Sequence, residues 1–234
     1  MIEREARVSE IIKRTYNVKS FRLDVENKWV DFKAGQFMQV ALKDNPAESK
    51  YLSISSSPTE KCHIEFTKKI TNSDFSKNLD SLRPGDPVLI KYPFGNFTLR
   101  QGAQKIAFLS GGIGITPIRS IAKFAVDTKL GADLILVYAN GSIRDVAFKD
   151  DFDFMQKEYP KLKVAHVLCE PAPGFKCSVG LVNSQVIKNE VPDYAKRLFY
   201  LCGPPGMVGA MKNILTEGLG ILEENIVIEN FQGY

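Results

Sequence analysis

Alternating hydrophobic and polar positions dominate the first hundred residues. Short runs rich in β-branched and aromatic side chains recur there, separated by turn-forming pieces such as KDNPAES and RPGD. This alternation predicts β-strands with one buried face, and six of them at this spacing predict a small antiparallel barrel of the Greek-key type. The predicted strands are residues 6–15, 18–25, 36–42, 51–57, 63–70 and 86–92.

One helix is predicted between the last two of these strands. The segment SKNLDSL, residues 76–82, has helical spacing of its apolar positions. Asp74 or Ser76 is the expected N-cap, because short oxygen-bearing side chains accept hydrogen bonds from the first free backbone amides. Pro84-Gly85 is expected to end the helix.

The pattern changes after about residue 103 to strand, loop and helix in alternation. Continuous apolar strands and crossover helices predict a Rossmann-like parallel α/β domain. The expected boundary lies at Gln101-Gly102, which divides the chain into a β-barrel domain (1–101) and an α/β domain (102–234). The predicted strands are 106–110, 133–139, 163–170, 197–203 and 225–230, and the predicted helices are 116–129, 145–159, 183–191 and 206–219.

Composition narrows the class of protein. The 31 basic and 27 acidic residues are interspersed, with a net charge of +4, so a nucleic-acid partner is not expected. The charged amino terminus and strand-sized apolar runs predict a cytoplasmic protein without a membrane span. Four scattered cysteines lack the spacing of a metal site, so no metal is expected, and all but Cys202 are expected to be ordinary buried side chains.

A glycine-rich loop joins the first strand of the second half to its helix. Glycines let the backbone approach a pyrophosphate, and free amides at a helix start favour an anion. Thr116 is the expected helix cap and Pro117 suits the first turn. The glycines concerned are Gly111, Gly112 and Gly114.

A second glycine loop strengthens this prediction. Taken alone, the first loop could be a tight turn that merely links strand to helix. The strand 197–203, however, also runs into a loop, Gly203-Pro204-Pro205-Gly206-Met207, followed by a helix. Because the carboxyl ends of parallel strands form the ligand crevice of an open α/β sheet, the pair predicts a dinucleotide site.

In their ordered succession, nine segments spread over essentially the whole chain resemble the ferredoxin–NADP reductase superfamily. This superfamily includes flavodoxin reductases, flavin reductases and the reductase modules of oxygenases. The resemblance implies bound FAD, in preference to FMN, and NADH or NADPH as hydride donor. The segments are residues 34–40, 50–58, 64–70, 73–86, 92–97, 109–117, 136–140, 201–207 and 228–234.

The family's flavin signature falls on Lys50-Tyr51-Leu52-Ser53. The family has Arg at the position of Lys50 and Tyr at that of Leu52. Lys50 can still pair with a phosphate, but without the planar fork of Arg, and Leu52 has no hydroxyl for the ribityl chain. Alternation places Tyr51 on the opposite side of the strand from Leu52. Ser53 matches, and the resemblance implies that its hydroxyl lies near flavin N5.

The resemblance implies further cofactor contacts. Ser53, Cys202 and Glu229 are implied as catalytic, with Thr116, Cys202 and Glu229 at the nicotinamide. Phe231 is implied as the aromatic residue that covers the flavin, with Tyr234 as its rival. Flavin contacts are implied for Thr67, Lys68, Lys69, Asp74, Phe75 and Ser76, and dinucleotide contacts for Asn140, Ser142, Arg144, Gly203, Pro204 and Met207.

Three functions fit these predictions. The first is a reductase with bound FAD that passes electrons to a small electron-transfer protein, such as a ferredoxin or flavodoxin, or to an oxygenase component. The second is a reductase that uses free flavin as a substrate, and the third is a non-catalytic nucleotide-sensing subunit. Ser142 and Arg144 could meet the 2′-phosphate of NADPH, although Arg144 equally fits a solvated loop residue. Gly141 stands where relatives often carry Arg, which favours NADH slightly over NADPH. The sequence does not predict the oligomeric state.

Overall fold

Two six-stranded sheets form the protein, one from each half of the chain. The computed structural model describes residues 1–25, 31–42 and 45–230. The first sheet is antiparallel, with the strand order β4-β3-β6-β1-β2-β5. Its elements are β1 (Ile2–Lys13), β2 (Val18–Asp24), β3 (Phe37–Leu42), β4 (Asn45–Ser53), β5 (His63–Lys69), α1 (Asp74–Asp80) and β6 (Pro87–Phe94).

The first sheet curls on itself. A bridge between Ile54, just after β4, and Phe66 in β5 connects its two outer strands. Inside, Phe66 stacks on its cross-strand partner Phe21, with 5.1 Å between the ring centres. The inward positions of the alternating pattern fill this core, because successive side chains of a strand point to opposite faces. The predicted barrel is therefore confirmed.

The second sheet is parallel, with the strand order β10-β9-β8-β7-β11-β12. Apolar side chains of its strands pack into separate clusters with the surrounding helices. A π-helical turn, Ile214–Gly218, follows the last helix. The elements are β7 (Lys105–Gly111), α2 (Ile115–Asp127), β8 (Asp133–Asn140), α3 (Lys149–Glu158), β9 (Leu162–Leu168), β10 (Ser178–Val179), α4 (Ser184–Glu190), β11 (Leu198–Gly203), α5 (Pro205–Asn213) and β12 (Ile226–Asn230).

Both predicted helix caps are wrong. Ser73 caps α1, because its backbone is extended and its hydroxyl accepts a hydrogen bond from the Ser76 amide at 3.3 Å. At α2 a turn of 3-10 helix, Gly112–Gly114, precedes the helix and places Thr116 inside it. The Thr116 hydroxyl instead donates to the Ile113 carbonyl at 3.0 Å. The two-residue strand β10 is too short to leave a periodic signal.

The segment between β6 and β7 contains the predicted boundary at Gln101-Gly102. Tyr200 of β11 anchors this segment, since its hydroxyl donates to the Thr98 carbonyl and accepts from the Arg100 amide, both at 2.9 Å. The two halves also pack closely: a Cβ added at Gly35 of the barrel half would lie 2.9 Å from Cδ1 of Ile121 in α2. Within the described ranges, no helix is both long and apolar enough to cross a membrane.

Replacing Tyr200 by Phe is expected to lower the free energy of unfolding by about 1–3 kcal/mol, because two backbone groups lose their partner. Denaturant unfolding would measure the loss. Tyr51→Phe, at an exposed tyrosine of the barrel surface, is the matched control and is expected to change stability little. Equal losses in both variants would contradict this role of Tyr200.

Candidate functional site

A cavity of about 600 Å³ lies at the carboxyl ends of the parallel strands. The two glycine loops and the ends of β8 and β9 form most of its wall. The barrel adds Asn17, Val18 and Lys69, so both halves of the chain contribute. Among the predicted dinucleotide contacts, those that line it are Gly111, Gly112, Asn140, Pro204 and Met207.

The two glycine loops touch each other across the floor of this site. A Cβ on Gly114 would lie 2.3 Å from the Cys202 carbonyl oxygen, and one on Gly111 would lie 2.1 Å from the Met207 sulfur. Gly112 has φ +50, and its carbonyl accepts a hydrogen bond from the Tyr138 hydroxyl at 3.1 Å. Glycine is thus required at Gly114 for close approach to a backbone atom and is favoured at Gly112 by the backbone conformation, whereas a side chain at Gly111 would displace the flexible Met207 side chain.

Asn140 indicates that the cavity is built for a polar ligand. Its side chain lies at the end of β8, and the residue is 7% exposed. Neither the amide oxygen nor the amide nitrogen has a hydrogen-bond partner among the described residues. Buried polar groups are nearly always paired, so a ligand able to both donate and accept fits this wall. The ribose and pyrophosphate of a dinucleotide have such groups.

The loop after β8 contains the residues predicted to meet a 2′-phosphate. The Ser142 hydroxyl and amide both donate to Asp145 at 2.9 Å, and the Arg144 guanidinium lies 5.3 Å from the centre of the Tyr16 ring. Burial would raise the pKa of Asp145, but the hydrogen bonds from Ser142 lower it below its ordinary value. Ser142 and Arg144 therefore already have partners within the protein. The Asp145 carboxylate, in contrast to a cationic phosphate ligand, is negatively charged and lines the cavity.

Cys202 and Glu229, two of the residues predicted near the nicotinamide, lie side by side in adjacent strands. Cys202 of β11 is in register with Glu229 of β12, and Thr116 is buried at the start of α2. Burial, and then the nearby Glu229 carboxylate, raises the pKa of the Cys202 thiol well above its ordinary value. Burial also raises the pKa of Glu229, to about 7. Cys202 is therefore a neutral thiol, whereas Glu229 can exchange a proton near neutral pH.

The end of β4 contains the predicted flavin signature. Ser53 is buried, Leu52 belongs to the barrel core, and Tyr51 is 56% exposed. The predicted opposite orientation of Tyr51 and Leu52 is confirmed. The Tyr51 ring makes an edge contact with Phe37, at 5.6 Å between centres.

Lysines gather beside this strand. Burial, and then the charge of Lys50, lowers the pKa of Lys68, whose ammonium donates to the Lys69 carbonyl at 3.0 Å. An anionic ligand would relieve this repulsion, so the lysines fit the phosphates of a flavin. Thr67 has its hydroxyl bonded inside the barrel, to Ser20 at 2.7 Å and to Ser55 at 2.8 Å.

The other predicted flavin contacts are spread more widely. Asp74 is exposed at the start of α1, Phe75 belongs to the barrel core, and the buried Ser76 hydroxyl bonds Thr71 at 3.0 Å. Phe231 and Tyr234 lie outside the described residues. No group of three His, Cys, Asp or Glu side chains in the described ranges could hold a metal ion.

Sequence reasoning missed the charged side chains between the two halves. Arg14, Glu60, Arg119 and Asp151 come from four separate segments and meet in the folded protein. It also missed the contact of Tyr16 with Asp145, at 3.1 Å between oxygens. Isolated charges in a strand or helix leave no pattern, so no signal in the sequence could have paired them.

Comparisons with known proteins agree with this geometry. A profile described as "Oxidoreductase FAD-binding domain" matches residues 5–99, and one described as "Oxidoreductase NAD-binding domain" matches residues 108–213. The chain is 30% identical to NADH-cytochrome b5 reductase 1 of Mortierella alpina over 215 residues, covering 88% of the chain and 71% of that protein.

Two further proteins extend the comparison. The glycine betaine monooxygenase reductase subunit of Chromohalobacter salexigens is 29% identical over 221 residues, 89% of the chain, and the chain spans only 59% of its length. The cytochrome b5 reductase domain of Ulva prolifera nitrate reductase has the same fold, with a TM-score of 0.85, 21% identity and 97% of each chain covered.

Proposed function

The chain belongs to the ferredoxin–NADP reductase superfamily of FAD- and NAD-binding oxidoreductases, and on that premise we propose that it transfers a hydride from a reduced nicotinamide dinucleotide to FAD and passes the electrons to a protein acceptor. The observation that carries the proposal is the cavity shared by both halves, with the unpartnered Asn140 in its wall. Residues 1–101 would hold FAD, and residues 102–234 would hold the dinucleotide and supply the aromatic residue, Phe231 or Tyr234, that returns to the flavin.

The first glycine loop, Asn140 and the lysines have distinct tasks in this proposal. The amides at Gly112 and Gly114 would hold a pyrophosphate at the start of α2, because free N–H groups at a helix start favour an anion. Asn140 hydrogen-bonds the dinucleotide. Lys50, Lys68 and Lys69 neutralise the flavin phosphates.

Positioning is the main contribution of the remaining residues. FAD, when bound, supplies the ring that accepts the hydride and holds the two electrons. The Ser53 hydroxyl would hydrogen-bond that ring, the neutral Cys202 thiol would pack against the nicotinamide, and the Glu229 carboxyl would hold or release a proton beside it. Because the protein has only to align two flat rings, small displacements of these side chains are costly.

NADH is the preferred donor in this proposal. A 2′-phosphate would meet the Asp145 carboxylate, whereas Arg144 is packed on Tyr16 and Ser142 is bonded to Asp145. Asp145→Asn is expected to raise the NADPH-to-NADH ratio of kcat/KM by about fivefold to tenfold, because one repelling charge is removed. Steady-state kinetics with both nucleotides would measure it. Asp153→Asn, on α3, is the control, and an equal rise in both variants would count against the assignment.

A protein acceptor is favoured because relatives are named as a monooxygenase reductase subunit and a cytochrome b5 reductase. The second candidate is a reductase of free flavin. Leu52 favours it, since this side chain packs in the barrel core and offers no hydroxyl to a bound flavin. The acceptor's identity and a cytoplasmic location stay predictions.

An absorbance spectrum after desalting separates these candidates. Protein that stays yellow, and whose flavin band bleaches on anaerobic titration with NADH, supports bound FAD. Colourless protein that oxidises NADH only with added flavin supports the second candidate. If neither flavin nor nucleotide binds at micromolar concentrations, both proposals fail.

A further inference from the structure

Five charged side chains meet between the barrel and the parallel-sheet half, and we call them the interface cluster. Arg14, Glu60 and Glu65 belong to the barrel, and Arg119 of α2 and Asp151 of α3 belong to the other half. Their side chains are 1–22% exposed. Charges withdrawn from water to this degree persist only when paired, so their partners identify their role.

Each arginine of the interface cluster binds one carboxylate of its own half and one of the other. Arg119 donates to Asp151 from Nε at 3.0 Å and to Glu60 from Nη2 at 3.1 Å, and its Nη1 contacts the second Glu60 oxygen. Arg14 pairs with Glu65 at 3.2 Å and with Asp151 at 3.3 Å. This reciprocal pattern connects the two halves by planar, directional contacts.

The Phe148 ring lies close to both guanidinium groups. Their central carbons are 4.6 Å (Arg14) and 5.8 Å (Arg119) from the centre of its ring. Phe148 has φ +60, a conformation unfavourable for a residue with a Cβ, and it precedes α3 directly. Strained residues persist where surrounding contacts hold them. The interface cluster therefore also holds the segment that joins the Ser142–Asp145 loop to α3.

The interface cluster is connected to both predicted cofactor sites. Glu65 accepts from the Ser55 hydroxyl at 2.8 Å, and Ser55 bonds Thr67, which is predicted at the flavin. Arg119 follows Thr116, predicted at the nicotinamide, by less than one helical turn, and donates to the Ser55 carbonyl at 3.0 Å. A shift at Arg119 would thus change the distance between the residues of the two predicted cofactor sites.

We propose that Arg119 is a positioning residue for hydride transfer, which fixes the α/β half against the barrel through Glu60, Asp151 and the Ser55 carbonyl. This inference rests on the proposed function. Arg119 touches neither cofactor in this arrangement and acts through the geometry of the two halves. Its loss should slow the transfer step while leaving both binding sites intact.

Arg119→Met and Arg197→Met form the matched pair for testing this. Arg197 is equally buried and also binds two carboxylates, Asp133 and Asp193, but all its contacts lie within the parallel-sheet half. With FAD-loaded protein and NADH, single-turnover flavin reduction at saturating NADH is expected to fall on the order of 100-fold in Arg119→Met, with Kd changed less than about threefold. Arg197→Met is expected to keep the wild-type rate. Arg119→Lys, which retains one contact, is expected to reduce the flavin at a rate between those of Arg119→Met and the wild type.

Hydrogen exchange on the nucleotide-free protein gives a readout independent of activity. Amides of residues 55–60 and 149–151 are expected to exchange faster in Arg119→Met than in wild type or Arg197→Met. An unchanged rate of flavin reduction in Arg119→Met, or the same loss in Arg197→Met, would overturn the inference. If Arg119→Met does not fold, Glu60→Ala removes the same contact between the two halves and decides the matter by the same measurements. Wild-type protein whose flavin NADH does not reduce would overturn the proposed function instead.

Discussion

Gly114→Ala is expected to abolish NADH-dependent flavin reduction, with a loss of at least about 100-fold in kcat/KM. Gly114 has an ordinary helical backbone, with φ −60, so alanine causes no conformational strain. The obstacle is the Cys202 carbonyl oxygen, which would lie 2.3 Å from the new Cβ. Backbone atoms cannot move aside as a flexible side chain can, so the two glycine loops must separate and the dinucleotide site opens.

FAD binding is expected to survive in Gly114→Ala, because the barrel does not contain this loop. The flavin spectrum after desalting and the NADH titration together measure both effects. Gly209→Ala in α5 is the control, since nothing lies within 4 Å of its Cβ and alanine favours a helix. Normal NADH binding by Gly114→Ala would show that the loops are not in contact as described.

Glu229→Gln is expected to remove a pH dependence of hydride transfer centred near pH 7. Burial raises the pKa of Glu229 to about 7, so the wild-type carboxyl ionises across the neutral range. In its proposed place beside the nicotinamide, the Glu229 carboxylate would stabilise the positive charge that develops as the hydride leaves. The wild-type rate should therefore rise with pH through 7 by about 10- to 100-fold, whereas Glu229→Gln stays at the low-pH rate.

The free energy of unfolding should also depend on the ionisation of the Glu229 carboxyl. The pKa of Glu229 in the folded protein lies above its ordinary value of 4.5. The stabilisation that the protonated carboxyl gives to the folded state is therefore full below pH 4.5 and is lost as pH rises through 7. Glu229→Gln removes this decline. Stopped-flow reduction and denaturant unfolding between pH 5 and 8 would measure both effects, with the exposed Glu224→Gln as the control. A pH limb that persists in Glu229→Gln belongs to another group.

The Gly114 prediction and the inference on Arg119 have one physical origin. Each concerns how closely the two halves, or two loops, are held between the proposed cofactor sites. The interface cluster fixes the barrel against α2 and α3, and the contact of Gly114 with the Cys202 carbonyl fixes one glycine loop against the other. Hydride transfer is sensitive to such distances, so these contacts matter although none of them performs chemistry.

The sequence by itself determined the two folding patterns and the chemistry of the loops. Period-two alternation identified the barrel strands, and it also predicted that Tyr51 and Leu52 point to opposite sides, because strand geometry is local. The sequence also predicted the buried strands β7 and β11 and the glycine loops after them, because these patterns are local as well. Helix caps were not, since Ser73 is distinguished from Asp74 and Ser76 only by backbone conformation.

Only the tertiary structure decided which of these residues act together. Gly114 owes its necessity to the Cys202 carbonyl, and Arg119 owes its partners to Glu60 and Asp151. The unpartnered amide of Asn140 and the raised pKa of Glu229 depend on burial by distant segments. Burial, electrostatics and close contact arise between residues far apart in the chain, and no local pattern of side chains encodes them.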